Sequence, residues 1–259
     1  LLSLVVSELC IRESSYDEIM EWCRCQSEFF KDYICDVGTL LGAAAGQGKN
    51  ILFEAQLGAL RDIDYGIYPF TSSSNTIASY APIGAGIPGC ALDNVVGVMK
   101  AYSTCVGEGP FAAETAMGEA WNEKLRESGG EFGAATGRPR RVGPFDAVAS
   151  RYGIRCQKAQ DIALTKLDVL GAFDKIPVIT GYRLHGVLLD SFPTDSRLEE
   201  AEPVIEELPG WGCDISGCRS WKDLPENARK YVCTLEKLVD HPIYLVSTGA
   251  ERDAYLLRE

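Results

Sequence analysis

Two separated segments of this chain, Thr165-Lys166-Leu167-Asp168 and Ser247-Thr248-Gly249, carry side chains able to read a purine base. The apolar run Ile162-Ala163-Leu164 before the first segment reads as a buried strand that ends at the tetrapeptide. A carboxylate fixed at such a strand end accepts two hydrogen bonds side by side. Guanine supplies that pair from N1–H and its exocyclic amine, whereas adenine presents an acceptor at N1 and lacks the 2-amino group. Leaving buried polar groups unpaired makes such discrimination large. The Lys166 stem can lie along a purine face, and the small Ser247-Thr248-Gly249 loop lets the backbone approach the base from the other side. A bare Lys-x-Asp triplet also reads as a pair of solvated charges.

Glu131-Phe132-Gly133-Ala134-Ala135-Thr136-Gly137-Arg138-Pro139-Arg140-Arg141 is the second chemical segment. Arginines interleaved with glycine and proline do not form a helix face. Their forks suit bidentate binding of carboxylate or phosphate, and the glycines let backbone N–H groups converge on an anion. A solvated basic turn is the alternative.

Other patterns fail on inspection. Gly84-Ala85-Gly86-Ile87-Pro88-Gly89 has dinucleotide-binding spacing, but no strand leads into it and Pro88 opposes the helix start. Gly42 to Lys49 has the wrong spacing for a phosphate-binding loop, and Asn50 stands where a magnesium-binding hydroxyl is needed. His185 and His241 read as structural or exposed. Cys23-x-Cys25 and Cys213-x4-Cys218 miss zinc spacing, so no metal site is expected.

The elements that must hold these segments alternate. Helical periodicity runs from about Tyr16 to Ala45, with Ile19, Trp22, Cys23, Phe29 and Phe30 near one face, and Gly46 to Asn50 ends it. Ile51 to Glu54 reads as a short buried strand. Asp62 to Thr76 reads as a long ordered loop. Val95 to Tyr102 is a strand or helix end, Gly118 to Ser128 and Ala147 to Cys156 are helical, and Val178 to Leu189 suggests a hairpin. Pro193 to Pro209 reads as acidic surface. Leu224 to Val239, with Pro225 in its first turn, is an amphipathic helix feeding a strand at Ile243 to Val246. Such alternation predicts one α/β domain spanning 1–259, with ligands at the carboxyl ends of strands.

Composition bounds the partners. With 46% hydrophobic and 24% charged residues, the chain has ample material for a core. A net charge of -12 argues against nucleic acid or an anionic membrane as partner, and no apolar stretch is long enough to cross a bilayer. Ten scattered cysteines, including Cys10 and Cys35, read as reduced cytoplasmic thiols rather than a disulfide scaffold. The first residue is Leu1 rather than methionine, which suggests a start inside a longer protein.

Together these segments resemble the adenylosuccinate synthetase family. The likeness runs from about Tyr33 onward through Ile51-Leu52-Phe53-Glu54, Asp62-Ile63-Asp64-Tyr65-Gly66, Tyr68-Pro69-Phe70, Ser72-Ser73-Ser74-Asn75-Thr76, Lys100-Ala101-Tyr102-Ser103-Thr104, Gly109-Pro110-Phe111, Glu131-Phe132-Gly133, Thr136-Gly137-Arg138, Thr165 to Leu170, Leu208-Pro209-Gly210-Trp211 and Ser247-Thr248-Gly249. It implies a mixed, largely parallel central sheet flanked by helices, similar to P-loop GTPases and truncated at its N-terminal side. It implies ligation of aspartate to IMP with GTP as co-substrate, magnesium, and a homodimer. By position, Lys166, Leu167, Asp168, Ser247, Thr248 and Gly249 would hold guanine, and Arg140 the GTP sugar. Ala134, Ala135, Thr136, Gly137, Arg138, Pro139 and Arg140 would form the loop that closes on aspartate. Arg138, Ser72 and Gln56 or Leu57 would contact IMP, Leu57 standing where the family has an amide. Cys105 replaces a family arginine, which with Leu57 opens a reading of altered purine specificity. The family's base, acid, phosphate loop and magnesium ligands precede the matched region, so the chain by itself is expected to be inactive as a synthetase or to be a nucleotide-binding module.

Overall fold

The computed structural model of this protein describes residues 15–134, 136–189 and 191–258. The chain divides into two compact units, one of Leu1–Leu52 with Ile83–Cys90 and one of Phe53–Pro82 with Ala91–Glu259.

In the first unit, helix α1 (Tyr16–Phe30) opens on a capping box: Ser15 Oγ accepts from the Glu18 N–H, and the Glu18 carboxylate accepts from the Ser15 N–H. The periodic pattern read as one helix to Ala45 is two. A 3-10 turn at Lys31–Tyr33 ends the first, and Asp36 starts α2 (Val37–Gly46) by accepting from the Thr39 N–H at 3.1 Å. Gly42 lies inside α2, so the segment through Lys49 is no phosphate loop. Ile19, Trp22 and Phe29 remain exposed. The strand expected at Ile51 to Glu54 is absent: Leu52 is 94% exposed and no described strand runs alongside to complete its backbone ladder.

The second unit contains β1 (Val96–Lys100), β2 (Ser103–Cys105), α3 (Ala112–Thr115), α4 (Glu119–Gly129), β3 (Arg141–Gly143), β4 (Phe145–Asp146), α5 (Ala147–Gln157), β5 (Asp161–Thr165), β6 (Lys175–Leu184), β7 (Val187–Leu188), β8 (Glu202–Pro209), α6 (Glu226–Val239), β9 (Leu245–Ser247) and β10 (Tyr255–Leu257). One sheet has the order β1-β5-β9-β10, with β5 parallel to both neighbours and β10 antiparallel at the edge. A ribbon of β2 and β3 is antiparallel. A third sheet places β6 beside β4, β7 and β8, only the first of them parallel.

The segment 193–209, read as acidic surface, ends in β8, which pairs with β6 along almost its whole length. Glu202, Glu206 and Glu207 of β8 are exposed, and the strand is formed by cross-sheet pairing that its own composition does not announce. The short β10 likewise forms only because β9 offers it an edge.

The core lies around β5. Ile162, Leu164 and Leu167 are fully buried with Val246 of β9 and Leu235 of α6; each such side chain contributes about 2 kcal/mol through removal from water. Helix α6 turns Ala228, Tyr231, Val232, Leu235 and Val239 inward at helical spacing, and the Tyr231 hydroxyl donates to the Ala101 carbonyl at 2.7 Å. A smaller cluster holds Val148, Ile179, Tyr182 and Phe192. At its centre Asp146 caps α5 through the Val148 and Ala149 N–H groups and accepts from the Tyr182 hydroxyl. Burial pushes the Asp146 carboxyl above its usual range despite those donors.

Candidate functional site

Parallel pairing of β5 with β9 aligns Ala163 with Leu245 and Leu164 with Val246. Their carboxyl ends therefore emerge side by side, and the segments Thr165-Lys166-Leu167-Asp168 and Ser247-Thr248-Gly249 become neighbours. Lys166 leaves β5 in the left-handed region (φ +63°), a conformation that costs a side-chain-bearing residue about 1 kcal/mol. Leu167 anchors the turn in the core. Asp168 then opens a 3-10 turn, Asp168–Ala172, with its carboxylate half-buried. Among the described residues no group donates a hydrogen bond to that carboxylate. Across from it, Ser247 Oγ donates to the Gly249 carbonyl at 3.0 Å and the buried Thr248 hydroxyl to the Cys218 carbonyl at 3.1 Å. Gly249 lies against Ser216 and Ala254, so a methyl group there would sit 3.1 Å from the Ala254 Cβ.

Lys166 points its ammonium back to the C-terminal turn of α4, donating to the Gly129 carbonyl at 2.9 Å. The chain after α4 is the arginine segment. Gly130 takes the left-handed cap (φ +61°), and Glu131 follows at 1% exposure. Glu131 Oε1 accepts from Lys100 Nζ at 2.8 Å and the Tyr102 hydroxyl at 2.7 Å, while Oε2 accepts from Arg140 Nη1 at 2.7 Å. Burial alone would raise the Glu131 carboxyl, but these donors outweigh it and hold it below the usual carboxylate range. Lys100 is lowered by burial, against Glu131, with the Arg140 and Lys166 charges acting the same way as burial. The Tyr102 hydroxyl is raised by burial, then by Glu131, with Asp168 adding to the effect. Lys166 and Asp168 of the first segment and Arg140 of the second thus all act on the Lys100 and Tyr102 pair that Glu131 binds.

From Phe132 to Pro139 the chain forms a closed loop. Phe132 and Pro139 bridge, the Gly133 N–H donates to the Arg138 carbonyl, and the Gly137 N–H donates to the Gly133 carbonyl, the last two at 2.8 Å. Gly137 is left-handed (φ +64°), which a glycine adopts freely. Thr136 Oγ1 accepts from the Arg138 N–H at 3.4 Å. Ala134, Thr136, Gly137, Arg138 and Pro139 are exposed, and Ala135 lies outside the described residues.

The three arginines, grouped above as one anion cluster, have separate fates. Arg138 makes no ion pair among the described residues and presents a free guanidinium. Arg140 is half-spent on Glu131. Arg141 is structural: it pairs with Glu114 at 2.7 Å and donates to the carbonyls of Gly107 and Gly109.

Gln56, Leu57 and Ser72 lie apart, on the loop organised by Asp62. Asp62 is fully buried and accepts from the N–H groups of Asp64, Tyr65 and Thr76. Burial would raise its carboxyl, but the backbone donors lower it on balance. Leu57 is 59% exposed in the left-handed region (φ +72°), next to Gly58 at φ +103°. Ser72 Oγ accepts from the Ser74 N–H at 3.1 Å. Helix α5 braces this loop through Gln157, which bonds both Thr76 and Ala78. Arg61 ties the loop to the 105–109 turn, donating to Cys105 Sγ and to the carbonyls of Val106 and Glu108. Arg141 holds the same turn, so it links the loop of Ser72 to the loop of Arg138.

His185 caps an exposed hairpin turn at φ +50°, and His241 is held against the carbonyls of Ala159 and Pro242. Glu131, Lys100 and Tyr102 received no role from sequence reasoning. One signal was available: Glu131 is the acid at the head of a glycine- and arginine-rich run, where a lone carboxylate has cations to neutralise.

Fold and site together define an α/β protein whose polar groups converge beyond the carboxyl ends of parallel strands, with a separate loop presenting a free arginine. The family model described as adenylosuccinate synthetase matches residues 3–256, and the chain belongs to that family. It is 48% identical over 243 residues to the adenylosuccinate synthetase of Trichlorobacter lovleyi, and 45% over 243 residues to that of Pelotomaculum thermopropionicum, covering 93% of this chain in each case. The chain spans 56% of the length of either relative. The solved structure of fully ligated adenylosuccinate synthetase from Plasmodium falciparum superposes with a TM-score of 0.90 at 33% identity, over 100% of this chain and 62% of that one. Among the described residues no helix is long and apolar enough to cross a membrane.

Proposed function

We propose that this chain carries the guanine site and substrate loop of a cytoplasmic, homodimeric ligase that joins aspartate to IMP, using GTP and giving adenylosuccinate, GDP and phosphate. The observation that carries the reading is the juxtaposition made by β5 and β9. It sets a half-buried Asp168 carboxylate, without a hydrogen-bond donor among the described residues, beside the Ser247-Thr248-Gly249 loop.

Asp168 would accept from guanine N1–H and the 2-amino group, with Lys166, Leu167 and the Ser247, Thr248 and Gly249 backbone forming the rest of the pocket. Arg140 would reach the GTP sugar. Ala134 to Arg140, with Ala135 in the same loop, would close on aspartate through Thr136 and Arg138. Arg138, Ser72 and Gln56 or Leu57 would contact IMP. In the reaction the purine 6-oxygen attacks the γ-phosphorus, GDP leaves, and the aspartate amine forms the new bond at C6 as phosphate departs. Arg138 would act in the second step by positioning the substrate carboxylates, and the base and acid are not assigned to residues of this chain. Magnesium would accompany the nucleotide. Among the described residues no three His, Cys, Asp or Glu side chains gather to hold a metal.

The test is calorimetric titration of guanine and adenine nucleotides against the wild type and Asp168→Asn. The expected result is a guanine preference that the substitution abolishes. Equal affinity of the wild type for both bases would overturn the reading.

A further inference from the structure

We propose that Glu131 is a positioning residue that presets Arg140 and Lys100 beside the nucleotide pocket and locks the base of the Arg138 loop. This rests on the proposed guanine site, and it assigns a role to a side chain that touches no proposed ligand.

The geometry gives Glu131 two connections to Arg140. The Arg140 N–H donates to the Glu131 carbonyl at 2.9 Å, and Arg140 Nη1 donates to Glu131 Oε2 at 2.7 Å. These bonds close the loop of residues 132–139 directly beneath the Phe132–Pro139 bridge. The Arg140 carbonyl is fixed in turn by Arg126 Nε at 3.0 Å. Nη1 is thereby committed, Nε is buried without a partner among the described residues, and Nη2 is left as the free end of the fork. An arginine gripped at one nitrogen offers the other in a fixed direction, which reduces the side-chain entropy lost on binding.

The other Glu131 oxygen serves the pocket side. It gathers Lys100 and Tyr102, and Lys100 is also held by Thr104 Oγ1 at 3.0 Å. Lys166, next to Asp168 in the pocket turn, bonds the Gly129 carbonyl two residues before Glu131. Lys100 and Arg140 therefore share one carboxylate, and Lys166 is tied to the chain two residues before it. Without a central carboxylate they repel each other, and half-buried like charges relax apart. Glu131 is the group that lets them stand together.

A competing role makes the opposite prediction. If Glu131 merely occupied Arg140 and had to be displaced by the ligand, its neutralisation would release a cation and tighten anion binding. Preorganisation predicts weaker binding. The sign of the effect therefore separates the two roles.

The experiment compares wild type, Glu131→Gln, Glu131→Asp and Asp168→Asn by titration with GDP, alongside thermal unfolding. Glu131→Gln keeps the size of the side chain and removes its charge. It is expected to weaken GDP binding roughly tenfold to a hundredfold, the scale of a lost charge-assisted bond. Glu131→Asp keeps the charge and is expected to recover part of that loss. Tighter GDP binding in Glu131→Gln, or unchanged affinity with only a lowered unfolding temperature, would overturn the proposal. If the wild type binds GDP and Asp168→Asn does not, those outcomes reject the Glu131 role alone. If the wild type shows no GDP binding, the guanine site falls and this role falls with it.

Discussion

Lys166 Nζ lies 2.9 Å from the Gly129 carbonyl, so the turn that ends β5 is fastened to the turn that ends α4. The bond places a cation at a helix C-terminus, where the unsatisfied carbonyls carry partial negative charge. It also makes the left-handed Lys166 backbone useful: from that conformation the side chain meets the end of α4.

Lys166→Gly should relieve the backbone strain while removing the bond. The two effects oppose each other, so global stability is expected to change by less than about 1 kcal/mol. Guanine-nucleotide affinity should fall roughly tenfold, because the pocket turn is no longer fastened. Chemical denaturation and nucleotide titration of the same preparation check both halves. A loss of stability with unchanged affinity would contradict the expectation.

The acid side of the stability profile should be set in part by Glu131 and Asp62. Both carboxyls are lowered in the folded state. Their contribution is therefore fully present above the unfolded-state values, about 4, and is lost as pH falls through the folded values. Asp146 acts in the opposite sense. Its carboxyl is raised by burial, so its contribution is complete below the unfolded value and declines as pH rises through the folded one. Unfolding temperatures measured across this range should fall steeply toward acid in the wild type and less steeply in Glu131→Gln.

Asp62→Ala removes the acceptor for the N–H groups of Asp64, Tyr65 and Thr76. The loop that carries Ser72 then loses its organising centre, with an expected cost of about 3 kcal/mol. Hydrogen exchange should accelerate in residues 62–76 before the rest of the second unit. Uniform exchange across the unit would argue against a local role.

Gly210→Ala tests a close approach of two backbones. A methyl group there would lie 1.8 Å from the Phe173 carbonyl oxygen, and the Gly210 N–H already donates to the Asp174 carbonyl. Neither backbone is free to move, so destabilisation of about 3 kcal/mol or more is expected. Gly217→Ala, with open space at the same atom, is the control and should unfold at the wild-type temperature.

Much of the fold was legible in the chain because local rules carry it. Helix α6 follows from Pro225 and an apolar stripe, α5 from the helical pattern of Ala147 to Cys156, and β5 from an uninterrupted buried run. The positions of Asp168 and Ser247-Thr248-Gly249 at strand ends were legible for the same reason: an acid after a buried strand, and a small loop after another, are local patterns. What failed was whatever needed a partner. Ile51 to Glu54 looks like a strand by composition but finds no neighbour, while Glu202 to Pro209 looks like solvated surface and becomes a strand beside β6. Strand pairing is decided by backbone groups brought from elsewhere, which a local hydrophobic pattern does not report.

By itself the sequence determined the family to which the chain belongs and singled out two segments as candidates for a purine and one for an anion. Only the tertiary structure divided the arginines, leaving Arg138 free, setting Arg140 against Glu131 and spending Arg141 on Glu114. The physical reason is that an arginine's function depends on which acceptors lie within about 3 Å, and those acceptors arrive from helices and strands that the linear chain keeps apart.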